Sequence, residues 1–200
     1  MKYGFIMLAI AGLPSLASAQ SFEASVSGGV SKLTNNAIGP DIYSSGATAG
    51  SQVRLNDGFR LAFRIGLNTY NHFGAEFGYA YNRSTLHFDG APANDQGFGI
   101  HQGFLDALAY ATPEKSRFRP FLAGGIHFSN FVPPGSSAQY GQGENKFGVN
   151  YGGGIKYRVG SNWQVRFDIR QYETGKPFHL TGASGRLFQN EISVGIGYVL

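Results

Sequence analysis

Hydrophobic and polar residues alternate along eight segments of the chain. The clearest segment has Phe59, Leu61, Phe63, Ile65 and Leu67 at every second position, with polar or small residues between them. A period of two residues is typical of β-strands whose two faces meet different environments. The pattern therefore predicts eight strands, and we expect an all-β fold.

The gaps between these segments are long and short in turn. Polar residues, Gly and Pro fill the long ones, as in solvated loops. The seven gaps are Leu33–Gln52, Asn68–His72, Ser84–Gly97, Thr112–Ser116, Asn130–Asn145, Gly160–Asn162 and Thr174–Arg186. Tight turns at one end and long loops at the other are typical of barrels that cross an outer membrane. We therefore predict an eight-stranded antiparallel up-and-down transmembrane β-barrel, with both termini in the periplasm.

Charged residues recur on the polar face of the predicted strands. An Arg facing lipid near the bilayer midplane costs ~2–4 kcal/mol, and several such residues together would exceed a typical stability of ~5–15 kcal/mol. We therefore expect the charged face to line the lumen. The predicted lumen charge network consists of Arg60, Arg64, Glu76, Asp106, Arg119, Lys156, Arg158, Arg166, Asp168, Arg170 and Glu191. Arg54 and Glu23 are also expected to face the lumen.

The orientation of the fourth segment, about residues 98–111, is ambiguous. Asp106 shares a face with Phe104, Leu108 and Tyr110, so the aromatic residues do not decide which face is outside. Because a carboxylate is costly in lipid, we predict that this face points inward.

The first residues have the features of a secretory signal peptide. Lys2 precedes an apolar run at Phe5–Leu13, and Ala17, Ser18 and Ala19 provide small residues for cleavage. We predict a signal peptide over residues 1–19 and a barrel domain over residues 20–200. A retained anchor is the alternative, but the run is shorter than the ~20 residues that a spanning helix needs.

Composition excludes several other classes. The chain has no Cys, so we expect no disulfide framework and no lipidated N-terminus. The formal net charge is +4, but the Arg residues alternate within strands and do not cluster with stacking aromatic residues, so we expect no nucleic-acid partner. We also expect no cofactor.

Three later segments resemble the strands of OmpA-like eight-stranded outer-membrane barrels. They are Arg119–Gly125, Lys146–Tyr157 and Val165–Arg170. The ending is similar to the assembly signal of that family, with Ser193, Gly195, Tyr198 and Leu200 at its key positions, although Leu200 replaces the usual Phe. The resemblance implies a monomer in the outer membrane of a Gram-negative bacterium. It also implies contact with outer-membrane lipids, lipopolysaccharide and the barrel-assembly machinery.

One cluster has the residues of an esterase. His127, Ser129 and Asn130 resemble a segment of lipid A deacylases, and Glu144 could complete a triad of nucleophile, base and carboxylate. However, His127 and Ser129 are predicted to face the lumen, and Glu144 lies across a loop. We therefore expect hydrogen-bonding roles for these side chains and no catalysis.

The charges at Arg166, Asp168 and Arg170 allow two interpretations. They could line a small solute pore, or they could form an internal salt-bridge plug. Buried charges persist only when they are paired, which favours the plug. The predicted function is structural, or interaction with an unknown extracellular ligand through the loops, with the esterase and the pore as alternatives.

Overall fold

The computed structural model describes residues 20–42, 44–69, 71–141, 143–178, 180 and 184–200. The predicted signal peptide at residues 1–19 lies outside these ranges. Within them, no helix is long and apolar enough to cross a membrane.

The described part of the chain contains nine strands. They are β1 (Gln20–Thr34), β2 (Ala37–Pro40), β3 (Gln52–Thr69), β4 (Phe73–Phe88), β5 (Gln96–Tyr110), β6 (Phe118–Val132), β7 (Glu144–Arg158), β8 (Trp163–Gly175) and β9 (Arg186–Val199). The short β2 continues the line of β1 along β3 after a break. The architecture is therefore an eight-stranded barrel, as the alternation predicts.

The barrel is closed by its first strand. β1 is antiparallel to β9 on one side, with Glu23 opposite Val199, and antiparallel to β3 on the other, with Gln20 opposite Thr69. All other neighbours are consecutive in the chain and antiparallel. No main strand keeps an unpaired edge, which is the condition for placing a sheet in lipid.

The strands are longer than the sequence pattern predicts. The eight main strands, which exclude the short β2, contain 13 to 18 residues, whereas ~9–11 are enough to cross a bilayer. The predicted gap Ser84–Gly97 is wrong in its bounds, because residues 84–86 pair with residues 96–98 in the ladder between β4 and β5. The connection that remains, 89–95, is as long as the turn at 111–117. The alternation of long and short connections is therefore weaker than predicted.

A β-bulge in β3 reverses the direction of its side chains. The register against β4 shifts between Asn56 and Phe59, so Val53 and Leu55 face inward although they share the sequence parity of the outward-facing Phe59. The prediction that Arg54 lines the lumen is therefore wrong. Its side chain is 41% exposed and pairs with Asp89 at 3.2 Å, outside the barrel.

The outer surface carries a belt of exposed apolar side chains. Every main strand contributes to it, with examples at Phe22, Val26, Leu61, Phe63, Phe77, Leu105, Leu122, Ile126, Val149, Phe167, Ile169, Val194 and Ile196. Trp163 and Tyr198 are in edge-to-face contact near one end of this belt, with ring centroids 5.2 Å apart. Aromatic residues at the edge of an apolar belt are typical of barrels in a membrane.

Candidate functional site

The lumen contains a network of buried ion pairs, and its centre is on β8. Asp168 accepts hydrogen bonds from Arg166 Nε at 2.6 Å and from Arg170 Nη2 at 3.0 Å. Both arginines also reach Glu76 on β4, at 2.6 and 2.8 Å. The side chains of all four residues are fully shielded from solvent. Two carboxylates and two guanidinium groups therefore join opposite walls of the barrel.

A second group of charges lies beside this centre. Glu191 on β9 accepts from Arg64 Nη2 at 2.6 Å and lies 3.0 Å from Arg60 Nε. Arg64 Nε is 3.5 Å from Glu76, which links the two groups. Tyr172 donates its hydroxyl to Glu191 at 3.1 Å.

Two further carboxylates complete the network. Asp106 on β5 is paired with Arg170 and accepts a hydrogen bond from Asn150. Glu23 on β1 is paired with Lys156. The inward position of Asp106, which is 2% exposed, also settles the orientation of the fourth predicted segment.

The network is close to charge balance. Among the described residues, five buried carboxylates meet five buried bases in these pairs. The carboxylates are Glu23, Glu76, Asp106, Asp168 and Glu191, and the bases are Arg60, Arg64, Lys156, Arg166 and Arg170. Buried charges of this kind are stable only when paired and hydrogen-bonded. The lumen at this level is therefore filled by side chains.

Arg119 and Arg158 of the predicted network occupy a different position. Arg119 is buried, and its guanidinium lies 3.7 Å from the ring centroid of Tyr110. Arg158 is half-buried at the end of β7. Among the ion pairs of the described residues, none includes either arginine. These two cations lie beyond the paired centre, toward the end of the barrel with short turns.

Phe104 and Tyr110 lie inside the barrel, as the orientation of the fourth segment predicts, and two further aromatic rings are also inside. Phe121 and Tyr172 are buried within the lumen, although most aromatic residues face outward. The guanidinium of Arg60 lies 4.5 Å from the ring centroid of Tyr172, and that of Arg166 lies 5.4 Å from Phe121. Cations over ring faces are attracted by the ring quadrupole. The only sequence signal for Phe121 and Tyr172 is that each occupies one of the alternate positions that face inward on β6 and β8.

Glycines on β7 make room for these bulky groups. A Cβ on Gly152 would lie 3.1 Å from the side chain of Arg170, and a Cβ on Gly154 would lie 2.8 Å from the ring of Phe121. The space that these two glycines leave allows the aromatic and charged side chains to fill the lumen.

A second level of the lumen, near the long loops, is apolar. Its core is a cluster of buried residues from six strands, which we call the apolar plug. The plug consists of Leu33, Ile38, Val53, Leu55, Phe98, Ile100, Phe131 and Leu187. The bulge in β3 is what turns Val53 and Leu55 toward it. This hydrophobic core lies inside the barrel, opposite in character to the charged level beside it.

Part of the loop after β8 covers the plug. Phe178 and Leu180 pack against it, together with Leu86 and Phe88 from β4. Phe178 has a positive φ of 71°, and its backbone N–H donates to Glu144 at the start of β7. Left-handed backbone is unfavourable for such a residue, and the hydrogen bond and the packing stabilise it. An apolar cavity of about 350 Å³ remains at this mouth.

The residues of the candidate esterase are not assembled into a triad. Ser129 is fully buried, and its hydroxyl accepts from Gln102 Nε2 at 2.9 Å. The ring of His127 is in edge contact with Tyr172, with centroids 5.2 Å apart. The carboxylate of Glu144 is bound to Lys146 at 2.6 Å and to the backbone of Phe178.

Two aspartates at the loop end of β4 stabilise the segment that connects it to β5. A hydrogen bond from the imidazole of His87, at 2.7 Å, holds the pKa of Asp95 below its ordinary range. The backbone N–H of Gln52, at 2.9 Å, does the same for the pKa of Asp89, and Arg54 adds to the effect. In the described part of the chain, no group of three or more His, Asp or Glu is placed to hold a metal ion.

The residues of the predicted assembly signal lie on both faces of the last strand. Ser193 is buried in the lumen and donates to Glu191. Tyr198 and Leu200 are on the outside, 39% and 77% exposed. Gly195 lies against the backbone of β1, where a Cβ would be 2.4 Å from the carbonyl oxygen of Val26. Recognition of these residues by the assembly machinery stays a prediction.

Comparisons with known proteins agree with this architecture. A family model described as "Outer membrane protein beta-barrel domain" matches residues 4–199. No curated protein is similar enough to the chain to count as a match.

Solved structures with the same fold include three outer-membrane barrels. OprG from Pseudomonas aeruginosa has a TM-score of 0.58 at 16% identity, covering 91% of this chain and 96% of its own. Neisserial surface protein A has a TM-score of 0.54 at 17% identity, covering 88% and 96%. The N-terminal β-barrel domain of OprF from Pseudomonas aeruginosa has a TM-score of 0.50 at 14% identity, covering 90% and 97%. At these identities the likeness shows the fold alone.

Proposed function

Because the chain belongs to the outer membrane protein β-barrel domain family, we propose that it acts as a closed, non-catalytic barrel that presents its loops at the cell surface. The observation that carries this proposal is the filling of the lumen at two levels. The ion-pair network occupies one level, and the apolar plug occupies the level below the loops. A solute would have to displace both.

The loop end offers surfaces for contact with a partner. Ile42 and Tyr140 are 73% and 76% exposed, although both are apolar or aromatic. Tyr140 ends a short 3-10 turn at Ala138–Tyr140 between β6 and β7. Exposed aromatic residues are over-represented at sites of protein–protein contact. These loop residues support a role in surface interaction.

The two alternatives receive less support from the geometry. A pore would need the buried pairs around Asp168 to separate, which leaves charges without partners in a space with little water. An esterase acting on membrane lipid would need its Ser exposed, and Ser129 is fully buried behind the barrel wall.

We expect the folded protein to show no steady conductance in planar lipid bilayers. The paired charges and the apolar plug leave no water-filled path for ions, so addition of the protein should leave the current at its baseline. A large porin added to the same bilayer checks that the measurement detects open channels. A steady current carried by folded wild-type protein would support the pore and contradict the closed barrel.

Proteinase K added to intact cells should cleave only in the segments that this orientation places outside. These are residues 41–51, 89–95, 133–143 and 176–185, and mass spectrometry of the fragments identifies the cuts. The turns at 111–117 and 159–162 should become accessible only after the outer membrane is opened. Cleavage within 111–117 in sealed cells would show that the orientation is reversed.

A further inference from the structure

A polar pocket lies on the outer surface of the barrel, on β4 and β5 at the edge of the apolar belt. We call it the β4–β5 pocket and define it by Tyr81, Arg83, His101 and the segment 133–138, over a floor at Gly97 and Gly99. Its volume is about 270 Å³. The pocket opens outward, so it belongs to neither level of the lumen.

Two glycines shape its floor. A Cβ on Gly97 would lie 2.4 Å from Arg83 Nη2, and a Cβ on Gly99 would lie 3.1 Å from the ring of Tyr81. The guanidinium and the phenol ring therefore lie across strand β5 where no side chain stands in their way. The third group, His101, lies beside Tyr81 in a tilted arrangement with ring centroids 5.1 Å apart, and its imidazole is hydrogen-bonded to the hydroxyl of Tyr79 at 2.5 Å.

The far wall of the pocket is the start of the loop after β6. Pro133, Pro134 and Gly135 form a turn closed by a hydrogen bond from Ser136 N to Pro133 O at 3.2 Å. Gly135 has a φ of 76°, which suits glycine at this point of the turn. The turn brings Ser136 and Ser137 to the side of the pocket opposite Arg83.

The chemistry of the lining favours an anion. It contains one guanidinium, one imidazole, a phenol and two Ser residues, and none of its residues is acidic. Among the described residues, no carboxylate lies within ion-pair distance of Arg83. The exposed Arg54 and Arg186 differ in this respect, because each is paired with a carboxylate, Asp89 and Glu173 respectively. Arg83 is therefore an exposed cation whose natural partner is absent from the barrel itself.

The height of the pocket on the barrel indicates where that partner comes from. Outward positions of β4 are aromatic at Phe77, Tyr79 and Tyr81, and they become polar from Arg83 onward. On β6, which pairs with the other side of β5, the same change occurs between Phe128 and Asn130. Aromatic rings mark the interface between hydrocarbon and headgroups, so Arg83 lies at the level of the lipid headgroups.

We propose that the β4–β5 pocket binds a phosphate group of a lipid in the outer leaflet of the membrane. Arg83 forms bidentate, charge-assisted hydrogen bonds with the phosphate, as guanidinium groups do with oxyanions. The hydroxyl and imidazole groups donate further hydrogen bonds, and the acyl chains lie along the apolar belt beneath Tyr79. The site does not depend on a ligand bound by the loops. A negative result for lipid binding would therefore leave the proposed surface role untouched.

Native mass spectrometry of the detergent-solubilised, folded protein tests this site, with bis-phosphorylated lipid A as the probe. We expect Arg83→Gln to weaken binding about tenfold, because a charge-assisted hydrogen bond is lost from an exposed position. Arg186→Gln, which removes an exposed but paired arginine, should change binding less than about twofold. Lipid A stripped of its phosphates should bind to the wild type as weakly as intact lipid A binds to Arg83→Gln.

A second variant tests the opposite wall. Ser136→Glu adds a carboxylate on the loop side and should weaken binding through repulsion, without any change in Arg83. Equal binding of wild type and Arg83→Gln, or of lipids with and without phosphate, would overturn the proposal. The last experiment is competition with inorganic phosphate. If inorganic phosphate displaces lipid A at equal concentration, the pocket binds free phosphate and the lipid assignment is wrong.

Discussion

Asp168→Asn is expected to lower the free energy of unfolding by about 3–5 kcal/mol, which is the cost of breaking a buried charge pair from one side. Asp168 is shared by Arg166 and Arg170, and its side chain is fully buried, so both guanidinium groups would lose a partner at once. Urea titration of the protein in detergent measures the change. The single Trp of the chain, Trp163 on the same strand, provides the fluorescence signal.

Val165→Ile is the matched control on β8. Its side chain is 40% exposed on the lipid-facing side, so one added methylene should leave the unfolding midpoint nearly unchanged. If Asp168→Asn has the same midpoint as this control, the charges are solvated and the lumen holds more water than the ion pairs indicate.

Phe131→Ala should destabilise the other level of the lumen by a similar amount, about 3–5 kcal/mol, as large-to-small changes of buried aromatic residues do. Phe131 is 1% exposed and belongs to the apolar plug. Because Phe178 and Leu180 pack against this plug, the loop that carries them should also be cleaved faster by proteinase K. Urea titration and the rate of cleavage within 176–185 measure the two effects.

Phe147→Ala provides the comparison, because Phe147 is 80% exposed on the outer face of β7. This substitution should change the free energy of unfolding little and leave the rate of loop cleavage unchanged. Rapid cleavage in both variants would show that the loop after β8 does not depend on the plug.

The sequence predicts the charged level of the lumen well, and the reason is physical. On β8, the alternation from Trp163 to Arg170 has no exception, because one face meets hydrocarbon and the other meets opposite charges. On β5, aromatic residues occur on the inward face, and the carboxylate of Asp106 indicates the correct direction. A carboxylate is a stronger signal than an aromatic ring, because lipid tolerates the ring.

The apolar level cannot be predicted in the same way. Val53 and Leu55 have the parity of Phe59, and only the bulge between Asn56 and Phe59 turns them inward. Gly58 is the one local sign, since a Cβ there would lie 1.8 Å from the carbonyl oxygen of Arg83. Beyond the membrane the outward positions also become polar, so the strand ends resemble loops although their backbones are still paired.

The pairing of β1 with β9 has a consequence for how the barrel folds. Every other main contact except β1 with β3 is a hairpin between consecutive strands, and local pairing of this kind is fast. The contact of Glu23 with Val199 joins residues from opposite ends of the described chain, and closing so long a loop costs more conformational entropy than forming a hairpin does. Until that step, β1 and β9 are two open edges that can pair with other chains. We therefore expect the meeting of the first strand with the last to be the slowest and most aggregation-sensitive step of folding.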